Sequence, residues 1–82
     1  MKEILERLEA AIARGNAADE AWEKEPDNPA LAEEFDAAYR GEFEVRRELA
    51  AAITEASPTI DYDTAFKMTY NPKLAELIKG MA

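Results

Sequence analysis

Carboxylates are the chain's main chemical resource. Glu3, Glu6 and Glu9 stand three residues apart, as do Glu20 and Glu23, a spacing that puts side chains on one face of a helix. Carboxylate-bridged metal bundles use this spacing, but they also take a histidine three residues after a glutamate. The chain has no histidine and no cysteine. Without imidazole or thiol, the common nucleophile–base pairings cannot form. Asp61-Tyr62-Asp63 opens like a calcium loop, yet the glycine such a loop needs at its sixth position is Phe66, and the acid at its twelfth is Pro72. Asp61 or Asp63 reads instead as a helix cap. Gly15, Gly41 and Gly80 are isolated, so there is no glycine-rich phosphate loop. These absences lead to the expectation of a non-enzymatic protein with no metal and no cofactor.

Residues 19–36 read DEAWEKEPDNPALAEEFD and concentrate the acids: Asp19, Glu20, Glu23, Glu25, Asp27, Glu33, Glu34 and Asp36. The net charge is −8. Residues 1–15 and 45–82 each balance to zero. Residues 16–44 hold ten acids against Lys24 and Arg40, and so carry the whole imbalance. Such a field repels nucleic acid and anionic membrane and favours a basic protein surface. Arg46-Arg47 is a single basic pair flanked by Glu44 and Glu48, so direct nucleic-acid binding is not expected. Two readings of the acids stand side by side: a solvated helix face that keeps a small protein soluble, or a docking surface whose rows of charge imitate a phosphate backbone. Asp19, Glu20, Glu23 and Asp27 would form one row, and Glu33, Asp36 and Arg40 a partly neutralised second. Trp22 lies on the apolar stripe of its segment. It is expected to close the core against Leu31 or Phe35; the alternative is an interface anchor.

The elements that must position these groups are helices. Ile4, Leu8, Ala11, Ile12, Ala18 and Trp22 recur at helical spacing, predicting a helix over about 3–25, stopped by Pro26. Asn28-Pro29 is a cap followed by a favoured first helical residue, opening a helix over about 29–56. Its apolar positions form two lines, one through Leu31, Phe35, Ala38, Val45, Leu49 and Ala52, the other through Tyr39, Phe43, Ala50 and Ile53. That face is too wide for one two-helix seam. The short link makes the two helices antiparallel neighbours, with residue i level with 55 − i, which brings Gly15 near Gly41. The glycines read as close crossing or simple tolerance, with a paired kink as the sharper alternative. A break of the second helix at Gly41 is a rival.

After Ser57-Pro58 comes a helical tail over about 61–79. Tyr62, Phe66 and Tyr70 are spaced at i, i+4 and i+8, Asn71-Pro72 gives a second cap signal, and Gly80 is a stop. Its simplest role is a lid over the wide face; the alternative is insertion into a partner.

With 82 residues and 9.2 kDa, one domain (1–82) is the default. A compact chain of this mass exposes roughly 4,900 Å² against about 13,300 Å² when extended, so the core is modest. The N-terminus carries charge throughout and has no apolar run, unlike a signal peptide or membrane span. A soluble cytoplasmic location is the simplest expectation. The fold class expected is all-α: an antiparallel helical hairpin plus a shorter C-terminal helical segment, a three- to four-helix bundle. The function expected is a small acidic protein–protein interaction module that docks its hairpin end on a basic protein surface. An inhibitor or nucleic-acid mimic of the kind mobile elements use against host defences would fit this size and charge. The alternative is a self-associating assembly protein, a homodimer through the face around Phe43, Val45, Leu49 and Ile53.

Overall fold

The computed structural model describes residues 1–81. Four helices follow in order: α1 (Lys2–Lys24), α2 (Pro29–Ala56), α3 (Tyr62–Met68) and α4 (Leu74–Met81), with no strand among the described residues. The fold is all-α, as expected. Local chemistry explains most of the boundaries. The Asn28 side chain accepts the Ala30 N–H at 3.0 Å, and Pro29 takes the first helical position. Asp61 caps α3 by accepting the Thr64 N–H at 3.2 Å. Asn71 accepts the Lys73 N–H at 2.8 Å, although α4 itself starts only at Leu74. Gly80 lies inside α4 rather than ending it. Helix α2 also runs unbroken through Gly41, and neither Gly15 nor Gly41 has a positive φ.

α1 and α2 pack antiparallel close to the expected register: Arg7 meets Glu48 at 2.7 Å, and Trp22 meets Phe35. A methyl group at Gly15 would make only an ordinary contact, 3.6 Å from the Glu42 Oε1, and one at Gly41 would meet nothing. The glycines are therefore tolerated rather than required by a close crossing.

The core occupies one end of the hairpin. Leu8, Val45, Leu49, Ala50, Ile53, Ala65, Leu74 and Ile78 form it, with Met1, Ile4, Leu5, Ile12, Ile60, Phe66 and Met68 packed at its edge. The tail is thus a lid: α3 packs on α2, and Ala65 of α3 with Leu74 and Ile78 of α4 close the core formed by Leu8 of α1 and the second half of α2. This corrects the face expected for self-association. Leu49 and Ile53 are 0% exposed and Val45 9%, all buried within the chain's own core, and only Phe43 stays open at 48%.

No residue from 13 to 44 belongs to this core. That stretch projects as a two-helix arm whose only buried side chains are Ala18 and Ala38. The shape follows from it. The extents are 46 × 19 × 18 Å and the Cα radius of gyration is 14.6 Å, against about 11.7 Å for a compact chain of this length. The accessible surface is 5774 Å², well above the roughly 4,900 Å² of a compact chain. At 1.5 Å per residue, the 28 residues of α2 reach about 42 Å, nearly the full length of the molecule.

Candidate functional site

The arm places all eight candidate acids at the surface, but it does not gather them into one patch. Asp19, Glu20 and Glu23 lie on the last turns of α1, Glu25 is its C-cap, Asp27 sits in the turn, and Glu33, Glu34 and Asp36 ride on α2. Since α1 ends at Lys24, Asp27 falls off the row expected to join it to Asp19, Glu20 and Glu23. Glu33 and Glu34 lie beyond the first turn of α2, so the helix start does little to stabilise them.

Two of the eight are neutralised within the chain. The Arg14 Nε donates to the Glu34 Oε1 at 2.8 Å. This hydrogen bond, helped by the guanidinium's charge, holds the Glu34 carboxyl below its ordinary range and raises Arg14. Arg40 pairs with Asp36 at 2.5 Å. Asp19, Glu20, Glu23, Glu25, Asp27 and Glu33 have no ion pair among the described residues. Two of these oppose local helix physics. Glu23 lies in the last turn of α1 and Glu25 caps it, where the helix dipole is negative and disfavours anions by about 0.3–1 kcal/mol each.

Aromatic side chains make a second feature of the same surface. Trp22 does meet Phe35, with ring centroids 5.8 Å apart, but it does not close the core: 38% of it stays exposed. Phe35 continues to Tyr39 at 5.5 Å. Phe43, one turn further along α2, meets Phe66 of α3 at 5.5 Å, and Phe66 is flanked by Tyr62 at 6.3 Å and Tyr70 at 5.6 Å. The chain has one tryptophan, three tyrosines and three phenylalanines, and all of them are in this strip. None is among the buried core residues. Tyr39 is 63% exposed, more than any other large apolar side chain of the described residues.

Sequence reasoning assigned Tyr39 and Phe43 to a face that the tail would cover, and so missed this strip. A signal was present: Phe35, Tyr39 and Phe43 repeat the i, i+4, i+8 spacing of Tyr62, Phe66 and Tyr70. Each step of four residues rotates about 40° around a helix of 3.6 residues per turn. A row of such steps therefore drifts off the seam that the aliphatic positions follow.

No group of three or more carboxylates converges on a possible metal position among the described residues. No described helix is long and apolar enough to cross a membrane. Comparison with protein-family models, with curated proteins and with solved structures found no match.

Proposed function

We propose that this protein is an interaction module whose projecting arm docks on a basic protein surface, acting by binding rather than by catalysis. One observation carries the reading: the segment that holds the entire net charge is also the segment that extends beyond the core. Charge on a compact body serves solubility wherever it lies. Here it is collected on an arm with little core of its own, and two acids, Glu23 and Glu25, stand at a helix end that resists them. Those positions cost stability and supply a field that steers a cationic partner. The narrower form, a nucleic-acid mimic that inhibits a nucleic-acid-binding protein, rests on the α1 row Asp19, Glu20 and Glu23. The second row contributes less, because Arg40 neutralises Asp36.

The test is a variant carrying Glu20→Gln, Glu23→Gln, Glu25→Gln and Glu33→Gln. It should fold at least as stably as the wild type, since repulsion at the α1 terminus is relieved. Immobilised wild type should retain basic proteins from an extract of its native cells and release them as salt rises, while the variant retains none of them. Retention of the same proteins by the variant, or retention indifferent to salt, would sink the proposal.

A further inference from the structure

We infer that the aromatic strip seats a basic amphipathic helix of the partner, an inference that rests on the docking role proposed for the arm. Soluble chains normally spend aromatic side chains on the core, where each buries a large apolar area. This chain builds its core from leucine, isoleucine, valine and alanine and leaves its rings on one surface. An exposed apolar strip with a polar border is the usual mark of an interaction site, and tryptophan and tyrosine are enriched among the residues that carry binding energy.

The shape of the strip selects the occupant. Phe35, Tyr39 and Phe43 floor an open trough of about 530 Å³ bordered by Asp36 and Glu44 and by Arg40 and Arg47, so its own rim is balanced and the acidic field comes from the rest of the arm. An open trough does not enclose a small molecule on most sides, as a small-ligand pocket must. It does fit the helix-in-groove mode, in which a partner helix lays apolar anchors at i, i+4 and i+7 along a groove. From Phe35 to Phe43 is eight residues of helix, about 12 Å along the axis. Trp22 lengthens this floor at the arm tip and Phe66 at the tail.

Charge decides between a foreign helix and a second copy of this chain. Two chains of −8 repel as they approach, whereas a cationic helix gains from the same field. The unpaired acids Glu23 and Glu25 follow Trp22 in the chain, at the arm-tip end of the strip.

Trp22 is the only tryptophan, so its emission reports on one end of the strip. The probe is a synthetic 18-residue peptide with leucines at i, i+4 and i+7 and lysines elsewhere. Two controls accompany it: a scrambled peptide of the same composition, and one with the same leucine pattern but glutamates for lysines. The lysine amphipath should shift Trp22 emission to the blue and bind at least about tenfold tighter than the scramble, and the glutamate peptide should not bind. Tyr39→Ala with Phe43→Ala should weaken the amphipath by about tenfold or more and leave the helical circular-dichroism signal intact. Tyr39→Ser alone, at the more exposed position, keeps the test readable if the double variant unfolds. Equal binding of the two lysine peptides, unaffected by these variants, overturns the strip and leaves electrostatic docking of the arm standing. Failure of both lysine peptides to bind overturns both ideas. Binding of the glutamate peptide as tightly as the lysine one refutes the basic partner. A wild-type dimer in sedimentation that Tyr39→Ser converts to monomer hands the strip to a second copy and refutes the inference.

Discussion

Arg46 is the only charged residue buried among those described, 7% exposed in all. Its Nε donates to Glu42 at 3.1 Å, its Nη1 donates to the Thr69 carbonyl, and its guanidinium lies 4.0 Å from the Tyr70 ring centre. One side chain thus ties α2 to the end of α3 and holds an aromatic of the strip in place. No buried side-chain polar atom is left without a partner among the described residues, which is the condition for keeping a charge inside without a large penalty. Arg46→Met would strand the Thr69 carbonyl and should destabilise the fold by about 2 kcal/mol, measured by urea denaturation. Arg46→Lys should recover less than half of that, because an ammonium lacks the planar fork that serves two acceptors and a ring together. Full recovery by lysine would show that charge alone matters at this position. In the sequence Arg46 looks like its neighbour Arg47, which stays exposed; only the placement of Thr69 and Tyr70 separates them.

Caps and breaks gave clear local signals at the scale of the helices, while glycine was ambiguous. Asn28 caps where expected, and of the two candidates Asp61 and Asp63 it is Asp61 that caps, because an Asx side chain meets a helix N-terminus through contacts only two or three residues away. Gly41 could have marked a break or a tight crossing. Its surroundings show neither, since a Cβ there would meet open space and the backbone is ordinary helix. Gly41→Ala should therefore raise stability by about 0.5–1 kcal/mol, visible as a higher urea midpoint with an unchanged slope. A loss of stability would mean that α2 bends there in solution.

The whole molecule has two parts of unequal burial. Core residues come from the first half of α1, the second half of α2 and the tail, and the arm has Ala18, Ala38 and a half-covered pair of rings. Regions with few buried apolar contacts open below the global unfolding free energy. Amide hydrogen exchange should find residues 5–12 and 45–53 the slowest, with 16–24 and 30–40 faster by at least about tenfold. Uniform protection along α2 would mean that the arm unfolds only with the core. Faster exchange in the arm would suit the docking role proposed for it, since a partner helix seated on the strip would supply the third layer that the arm lacks.

Local signals were enough to set the all-helical class, the antiparallel hairpin, the Asn28 cap and the location of the charge, while the helix count stayed at three to four. Each of these depends on residues close in sequence, through hydrogen bonds of two to four residues, helical periodicity or a plain count of charges. The lid role of the tail was also legible, because a face that wide needed a cover. Where the lid would stop was not. The tail is short and joins the core at one end of the hairpin only, where Val45, Leu49 and Ile53 are buried, while Tyr39 and Phe43 stay out, though all five looked alike in the pattern. Trp22 was placed wrongly for the same reason: its position on the α1 stripe implied burial, but beyond Ile12 no third helix is present to bury it. The pairing of Glu34 with Arg14, twenty positions apart, was likewise set by which faces the two helices turned toward each other. Periodicity names the side of a helix that is apolar. Only the assembled chain has the finite area that decides how much of that side is covered.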